Sequence, residues 1–160
     1  MIINQPDDLK IRMPNGTLNI KWNKNFGKLT SENILKTQKF IDSECIRHMI
    51  PYTPMRNGKL YQSAIKSTVI GSGTIIQDER YAHYQYRGLV YGPNFPIWEN
   101  GIIVAWRSRK NMKKHPTGGQ LQHSTAKHPK AGPFWFERMK KDKKDVILMG
   151  AAKISGGKAE

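Results

Sequence analysis

The sequence predicts an α+β fold: a small antiparallel β-sheet packed by a long N-terminal helix and a C-terminal helix, with a long basic loop or arm. Apolar residues recur at helical spacing over two stretches, one early in the chain and one near its end. Short alternating or β-branched runs lie before and between them. At 160 residues the chain is expected to form a single domain, 1–160, since domains cluster at roughly 100–150 residues and a chain this size buries about 70% of its unfolded surface. An apolar share of only 38% points to a domain with much loop, arm or polar interface around its core.

Residues 1–14 read as an N-terminal extension. "NGTLNIKWN" (15–23) follows, with an Asn-Gly turn signal and then Leu18, Ile20 and Trp22 alternating with polar residues, which predicts a half-buried strand. Over residues 29–54, Thr30 and Ser31 are candidate N-caps and Glu32 lies in the first turn. Ile34, Leu35, Ile41, Cys45, Ile46, Met49 and Ile50 then share one half of the helical wheel, with Asp42 the only charge well inside it. The spacing predicts an amphipathic helix of about five turns, ended by Pro51 and Pro54. "RNGKLYQSAI" (56–65) predicts a Gly-containing turn and a short helical turn. In "KSTVIGSGTIIQ" (66–77) β-branched runs flank Gly71-Ser72-Gly73, which predicts a β-hairpin.

"DERYAHYQYRG" (78–88) predicts a short helix with Asp78 as cap and Gly88 as its end. "IIVAW" (102–106) predicts a strand, and 107–131 a long basic loop or arm, a length that in a small domain is usually functional or disordered. The last helix is expected to start near Pro133, a residue favoured at the first helical position, and to run to about Ala152, leaving 154–160 as a flexible tail. Trp135, Met139, Val146 and Gly150 trace its inner stripe. The lysines at 140, 141 and 144 fall on the opposite side, where Asp142 and Asp145 interrupt the basic run.

Charge narrows the function classes. The chain has 27 basic and 12 acidic residues, a net +15. The stretch from Arg107 to Glu160 holds 14 basic and 4 acidic residues and so carries +10 of it. Such a field attracts polyanions: nucleic acid, an acidic protein rim or anionic lipid. Arg107, Arg109, Lys110, Lys113 and Lys114 have the density of a phosphate-tracking arm, and protein-rim contacts use the same residue types. Cys45 is the only cysteine, which excludes an internal disulfide and a multi-thiolate zinc site and fits a reducing cytosol. No segment approaches the roughly 20 apolar residues of a membrane span, and the N-terminus lacks a signal-peptide pattern. A soluble protein without membrane contact is expected.

Nothing in the residues argues for an enzyme. Cys45 and His48 stand at i, i+3, the start of a nucleophile pair, but Cys45 lies in the apolar face, where a core thiol is inert. His115, His123 and His128 match no zinc spacing and sit among Lys113, Lys114, Lys127 and Lys130, so no metal or other cofactor is expected. Gly71-Ser72-Gly73 lacks the rest of a phosphate loop, and no paired carboxylates present themselves for acid/base work. The tyrosines of "YAHYQYRGLVYG" (81–92) and the "FWF" of 134–136 suit packing or a subunit seam better than base stacking.

The order of segments adds a resemblance. "YTPMRNGKLYQSA", then the Gly-Ser-Gly segment, "YAHYQYRGLVYG", "KKHPTG" and "GPFWFERMKKDKKDVILMGAAK" together resemble the small minor capsid or head-tail connector proteins of long-tailed bacteriophages, of the tail-completion (neck) kind. The similarity runs from about residue 30 to residue 153. It implies a virion structural protein without catalysis, made in the host cytoplasm. It would form a homo-oligomeric ring, six copies where the tail is six-fold, between the portal-bound connector or adaptor and the tail tube or tail terminator. The positions matching its motifs are Pro54, Arg56, Gly58 and Leu60, and Gly132 to Lys140 with Trp135, Phe136 and Met139, expected to act in packing and assembly. Arg56 and the arm residues Arg107, Arg109, Lys110, Lys113 and Lys114 are the candidate interface, gripping an acidic face of a neighbouring ring or lining the path of the genomic DNA. The alternative function is a basic nucleic-acid-binding protein using residues 107–114 and 140–144.

Overall fold

Both helices and antiparallel strands are present in the computed structural model, which describes residues 2–157, so the α+β class holds. The strands pair as three separate two-stranded ladders: β1 (Leu9–Met13) with β2 (Gly16–Ile20), β3 (Leu89–Gly92) with β6 (His115–Gln120), and β4 (Phe95–Glu99) with β5 (Ile102–Arg107). The helices are α1 (Phe26–Met49), α2 (Lys59–Ser67), α3 (Ala82–Arg87) and α4 (Trp135–Ser155), with a turn of 3-10 helix at Ile50–Tyr52. The chain divides into two compact units. One comprises the residues up to Cys45, Val69–Ile75 and those from Lys143 onward; the other comprises Ile46–Thr68 and Ile76–Asp142.

In the first unit, β1 occupies part of the expected extension. The two-residue turn Pro14-Asn15 sets Met13 opposite Gly16 and Leu9 opposite Ile20. β2 was expected to be half-buried, yet every residue of both strands is exposed, because nothing in the described chain covers either face. Helix α1 begins earlier than Thr30 and Ser31 suggest and runs for 24 residues. Asn23 nucleates it, accepting the Asn25 N–H at its side-chain oxygen (2.9 Å) and the Phe26 N–H at its carbonyl (2.9 Å). Ser31 is therefore not a cap: its hydroxyl donates to the Gly27 carbonyl (2.7 Å) and accepts the Ile3 N–H (2.9 Å).

The 66–77 hairpin does not form. No strand is described there; α2 continues to Ser67, and the Gly71 and Gly73 N–H groups go to the buried carboxylate of Asp42 instead of a ladder partner. At the ends of this loop the Thr68 hydroxyl takes the ladder's place, accepting the Ile76 N–H (3.0 Å) and donating to its carbonyl (3.4 Å).

The second unit holds most of the apolar core: Ile46, Met49, Tyr52, Leu60, Ala64, Ala82, Ala131, Trp135 and Met139 are buried. The spacing of Leu60, Ser63 and Ala64 puts one face of α2 inward. Helix α3 ends at Gly88 as expected, in the left-handed region (φ 65°), whose N–H bonds back to the Tyr84 and Gln85 carbonyls. Asp78 is not its cap, since Tyr81 occupies that position. The stretch 107–131 is not a structureless arm: Arg107 closes β5, and His115–Gln120 forms β6 against β3 with a bulge between Leu89 and Tyr91. Helix α4 starts at Trp135, two residues after Pro133, because Phe134 takes a left-handed φ of 49°. Ile147 and Ala151, not Val146, are buried in its second half. Of the tail expected at 154–160, Ile154 and Ser155 are helical and 158–160 lie outside the described residues.

Candidate functional site

The segment Pro54–Leu60 is fixed at both ends before it meets any ligand. Thr53 is fully buried, donating its hydroxyl to the Met49 carbonyl (3.0 Å) while its own carbonyl bonds His128 Nδ1 (2.7 Å). At the other end Asn57 accepts the Lys59 N–H (3.3 Å), and Gly58 turns the chain into α2 with φ 81°, where a side chain would be strained and would press on the Tyr61 ring. Between these anchors Pro54 is half-buried, Arg56 exposed, and Gly58 and Leu60 buried. The Arg56 carbonyl accepts from Lys127 Nζ (3.3 Å).

Together these residues make one side of a groove of about 470 Å³. Glu79, Tyr81 and Gln85, with Gln122 to Ser124, make the rest. His123 Nε2 lies 2.9 Å from the Gln85 carbonyl, so that nitrogen carries the proton and donates. Burial, aided by the Glu79 carboxylate, pushes the Tyr81 phenol above its ordinary range. The groove thus pairs cations (Arg56 and Lys59) with one carboxylate and apolar Leu60 and Pro54, a lining that suits a charged polypeptide tip. Pro54, Arg56, Gly58 and Leu60 are the positions that the resemblance singles out; Glu79, Tyr81 and His123 lie too far along the chain for any local pattern to join them to it.

Two of the five basic residues of 107–114 make contacts within the chain. The Arg109 guanidinium stacks over the Phe95 ring (5.0 Å). Lys114 donates to Asn94 Oδ1 (2.9 Å), and Ser108 donates to the same oxygen (3.0 Å). Arg107, Lys110 and Lys113 are exposed. The three loop histidines also separate: His115 is on β6, while His123 and His128 bond different carbonyls. Among the described residues no three His, Cys, Asp or Glu side chains gather around a metal position, and no helix is long and apolar enough to cross a membrane.

Trp135 and Met139 are buried to 1% exposure, and Phe136 is half-buried. Cys45 is half-buried, and burial, then Asp42 and Glu44, raise its thiol pKa, the reverse of what activates a nucleophile. His48 Nε2 lies 2.9 Å from an Arg47 nitrogen. Iodoacetamide at neutral pH is accordingly expected to modify folded Cys45 at least ~10-fold more slowly than the urea-unfolded chain; equal rates would make this thiol a reactive one.

The β4–β5 hairpin leaves a group of apolar side chains uncovered. Asn100 and Gly101, at φ 52° and 77°, form its two-residue turn. The register pairs Trp98 with Ile103 and Pro96 with Trp106 on one face, and Glu99 with Ile102 and Ile97 with Ala105 on the other. Ile102 is 68%, Trp106 62% and Trp98 59% exposed, and every residue of β5 faces solvent. The β1–β2 ladder repeats the pattern with Leu9, Ile11, Met13 and Leu18. Comparison with protein-family models, with curated proteins and with solved structures finds no match to this chain.

Proposed function

We propose that this protein is a structural component of a tailed-phage virion, one copy of a ring at the head-tail junction that joins the portal-bound connector or adaptor to the tail tube or terminator. One observation carries the reading: the β4–β5 hairpin exposes Trp98, Ile102, Ile103, Val104 and Trp106 together, apolar surface of a kind that soluble monomers rarely leave uncovered and that marks an interaction site. A two-stranded ladder is marginal by itself, and in this one β5 and the tip of β4 are exposed while Phe95–Ile97 are only half-buried, so neighbouring chains are its natural cover. The motif order from residue 30 to residue 153 supports the same reading, and the net charge of +15 suits contact with acidic protein rims and with the genome.

The test is assembly. The purified protein, alone or with its connector and tail partners, is expected to sediment as a closed oligomer and to appear ring-shaped in negative stain. Particles made without it are expected to be full heads lacking joined tails. A chain that stays monomeric with those partners and is missing from particles overturns the proposal. The nucleic-acid reading makes a separate demand: binding whose logarithm falls steeply with log salt, with several units of slope lost when Arg107, Arg109, Lys110 and Lys113 are neutralised. Absence of binding at low salt disposes of that reading.

A further inference from the structure

We propose that the tip of the β4–β5 hairpin of one copy docks into the Pro54–Leu60 groove of the next copy, with Glu99 of the hairpin set against Arg56 and Lys59 of the groove. The inference rests on the ring reading above and specifies its contact.

The hairpin's chemistry selects the occupant. From Gly88 to Phe136 the only acidic residue is Glu99, and the structure puts it at the hairpin's end, beside the Asn100-Gly101 turn and across from Ile102. A tip with one carboxylate between apolar shoulders is poorly suited to the other surfaces that such a ribbon meets. Phosphates of nucleic acid and headgroups of anionic lipid repel the carboxylate, and an acyl-chain environment charges its full desolvation cost. A cationic groove with apolar walls satisfies both parts.

The groove has that character. Arg56 and Lys59 stand on the wall built by Pro54–Leu60, with Leu60 and Tyr81 among its apolar lining. Its volume of about 470 Å³ lies in the range that accepts a group of a few side chains. Glu79 belongs to the other wall and directs an incoming carboxylate toward the two cations. Charge complementarity of this kind fixes register and partner choice. Hairpin tip and groove are different patches of one chain, so the contact is heterologous, and repeated copies either close into a ring or extend as a filament.

Charge exchange tests this directly. Glu99→Arg and Arg56→Glu each place like charges in the contact. Each variant alone, folded as judged by an unchanged melting temperature, is expected to raise the concentration needed for assembly by about 100-fold or more. A one-to-one mixture of the two is expected to assemble again, because each hairpin then meets a groove of opposite charge in an alternating ring. If the wild type forms rings and both single variants form them equally well, the docking contact is wrong while the ring reading stands. Loss of assembly in each variant without recovery in the mixture also overturns the contact. A wild type that never assembles, even with its partners, removes the ring reading and this inference with it. Tighter binding of Glu99→Arg to DNA or to phosphatidylserine vesicles, with assembly unchanged, assigns the hairpin to those surfaces instead.

Discussion

Trp135→Ala is expected to destabilise the protein by about 3–5 kcal/mol, as truncation of a buried aromatic does when the site cannot collapse. Against a typical total of roughly 5–15 kcal/mol, that is a large part of the stability. The indole is 1% exposed, and the Tyr86 ring stands edge-on to it at 4.7 Å and 85°. Its Nε1–H donates to Gln77 Oε1 (2.9 Å), and the Gln77 amide in turn donates to the Leu60 carbonyl (3.2 Å). Truncation therefore opens a cavity and also removes the donor that orients Gln77 toward α2. Trp135→Phe separates the two effects: most of the apolar volume stays and the hydrogen bond goes, for an expected cost of about 1–3 kcal/mol. Urea unfolding followed by far-UV dichroism reads both variants, with the midpoint moving and the slope unchanged. A cost below about 1.5 kcal/mol for the alanine variant would mean that the site relaxes around the loss.

Trp135 was legible in the sequence because helical spacing is a local property. The same holds for Met139, for Ile46 and Met49 on the predicted face of α1, from which Leu35 departs by being exposed, and for Gly88 at the end of α3. The hairpins were harder to read, and the reason is physical. Strands are recognised by alternation, and alternation exists only where one face is buried and the other wet. β4 and β5 carry apolar residues on both faces, so that signal is missing there. β1 and β2 do alternate, Leu9, Ile11 and Met13 with Lys10 and Arg12, and Leu18 and Ile20 with Thr17 and Asn19, yet of these two only β2 is read as a strand from the sequence. What did remain was Asn100-Gly101 between apolar runs, a strong short-range hairpin signal. The start of α1 was likewise written in Asn23 and Asn25 instead of in Thr30 and Ser31. The groove depends on contacts such as His123 with Gln85, 38 residues apart, which no local spacing encodes.

The failed hairpin at Gly71-Ser72-Gly73 leads to the second large effect, at Asp42. Its side chain is the one charge well inside the apolar arc of α1, and it is 2% exposed. One carboxylate oxygen accepts the Gly71 N–H (2.7 Å) and the Gly73 N–H (3.1 Å), and the other accepts from Gln38 Nε2 (2.7 Å). Gly71 and Gly73 hold φ angles of 102° and 74°, which an L-residue adopts only under strain. The loop's shape and the acidic acceptor are thus one device: the glycines aim two N–H groups at a single oxygen, and the carboxylate replaces the strand partner that those groups lack.

Asp42→Ala leaves both N–H groups and the Gln38 amide without their acceptor in a part-buried place, and is expected to cost about 2–5 kcal/mol. Asp42→Asn keeps the shape but exchanges one acceptor for a donor. The new NH2 must then face either the glycine N–H groups or the Gln38 amide, so a loss of about 1–3 kcal/mol remains. Hydrogen exchange separates this account from a general loosening: protection at the Gly71 and Gly73 amides should fall in both variants while that of the α4 amides, corrected for global stability, stays. Combining Asp42→Ala with Gly71→Ala should cost less than the two changes added together, since each alone already breaks the same contact. Strict additivity would mean that the carboxylate and the loop act independently, and the strand-like sequence of 68–76 would then need another reason for not pairing.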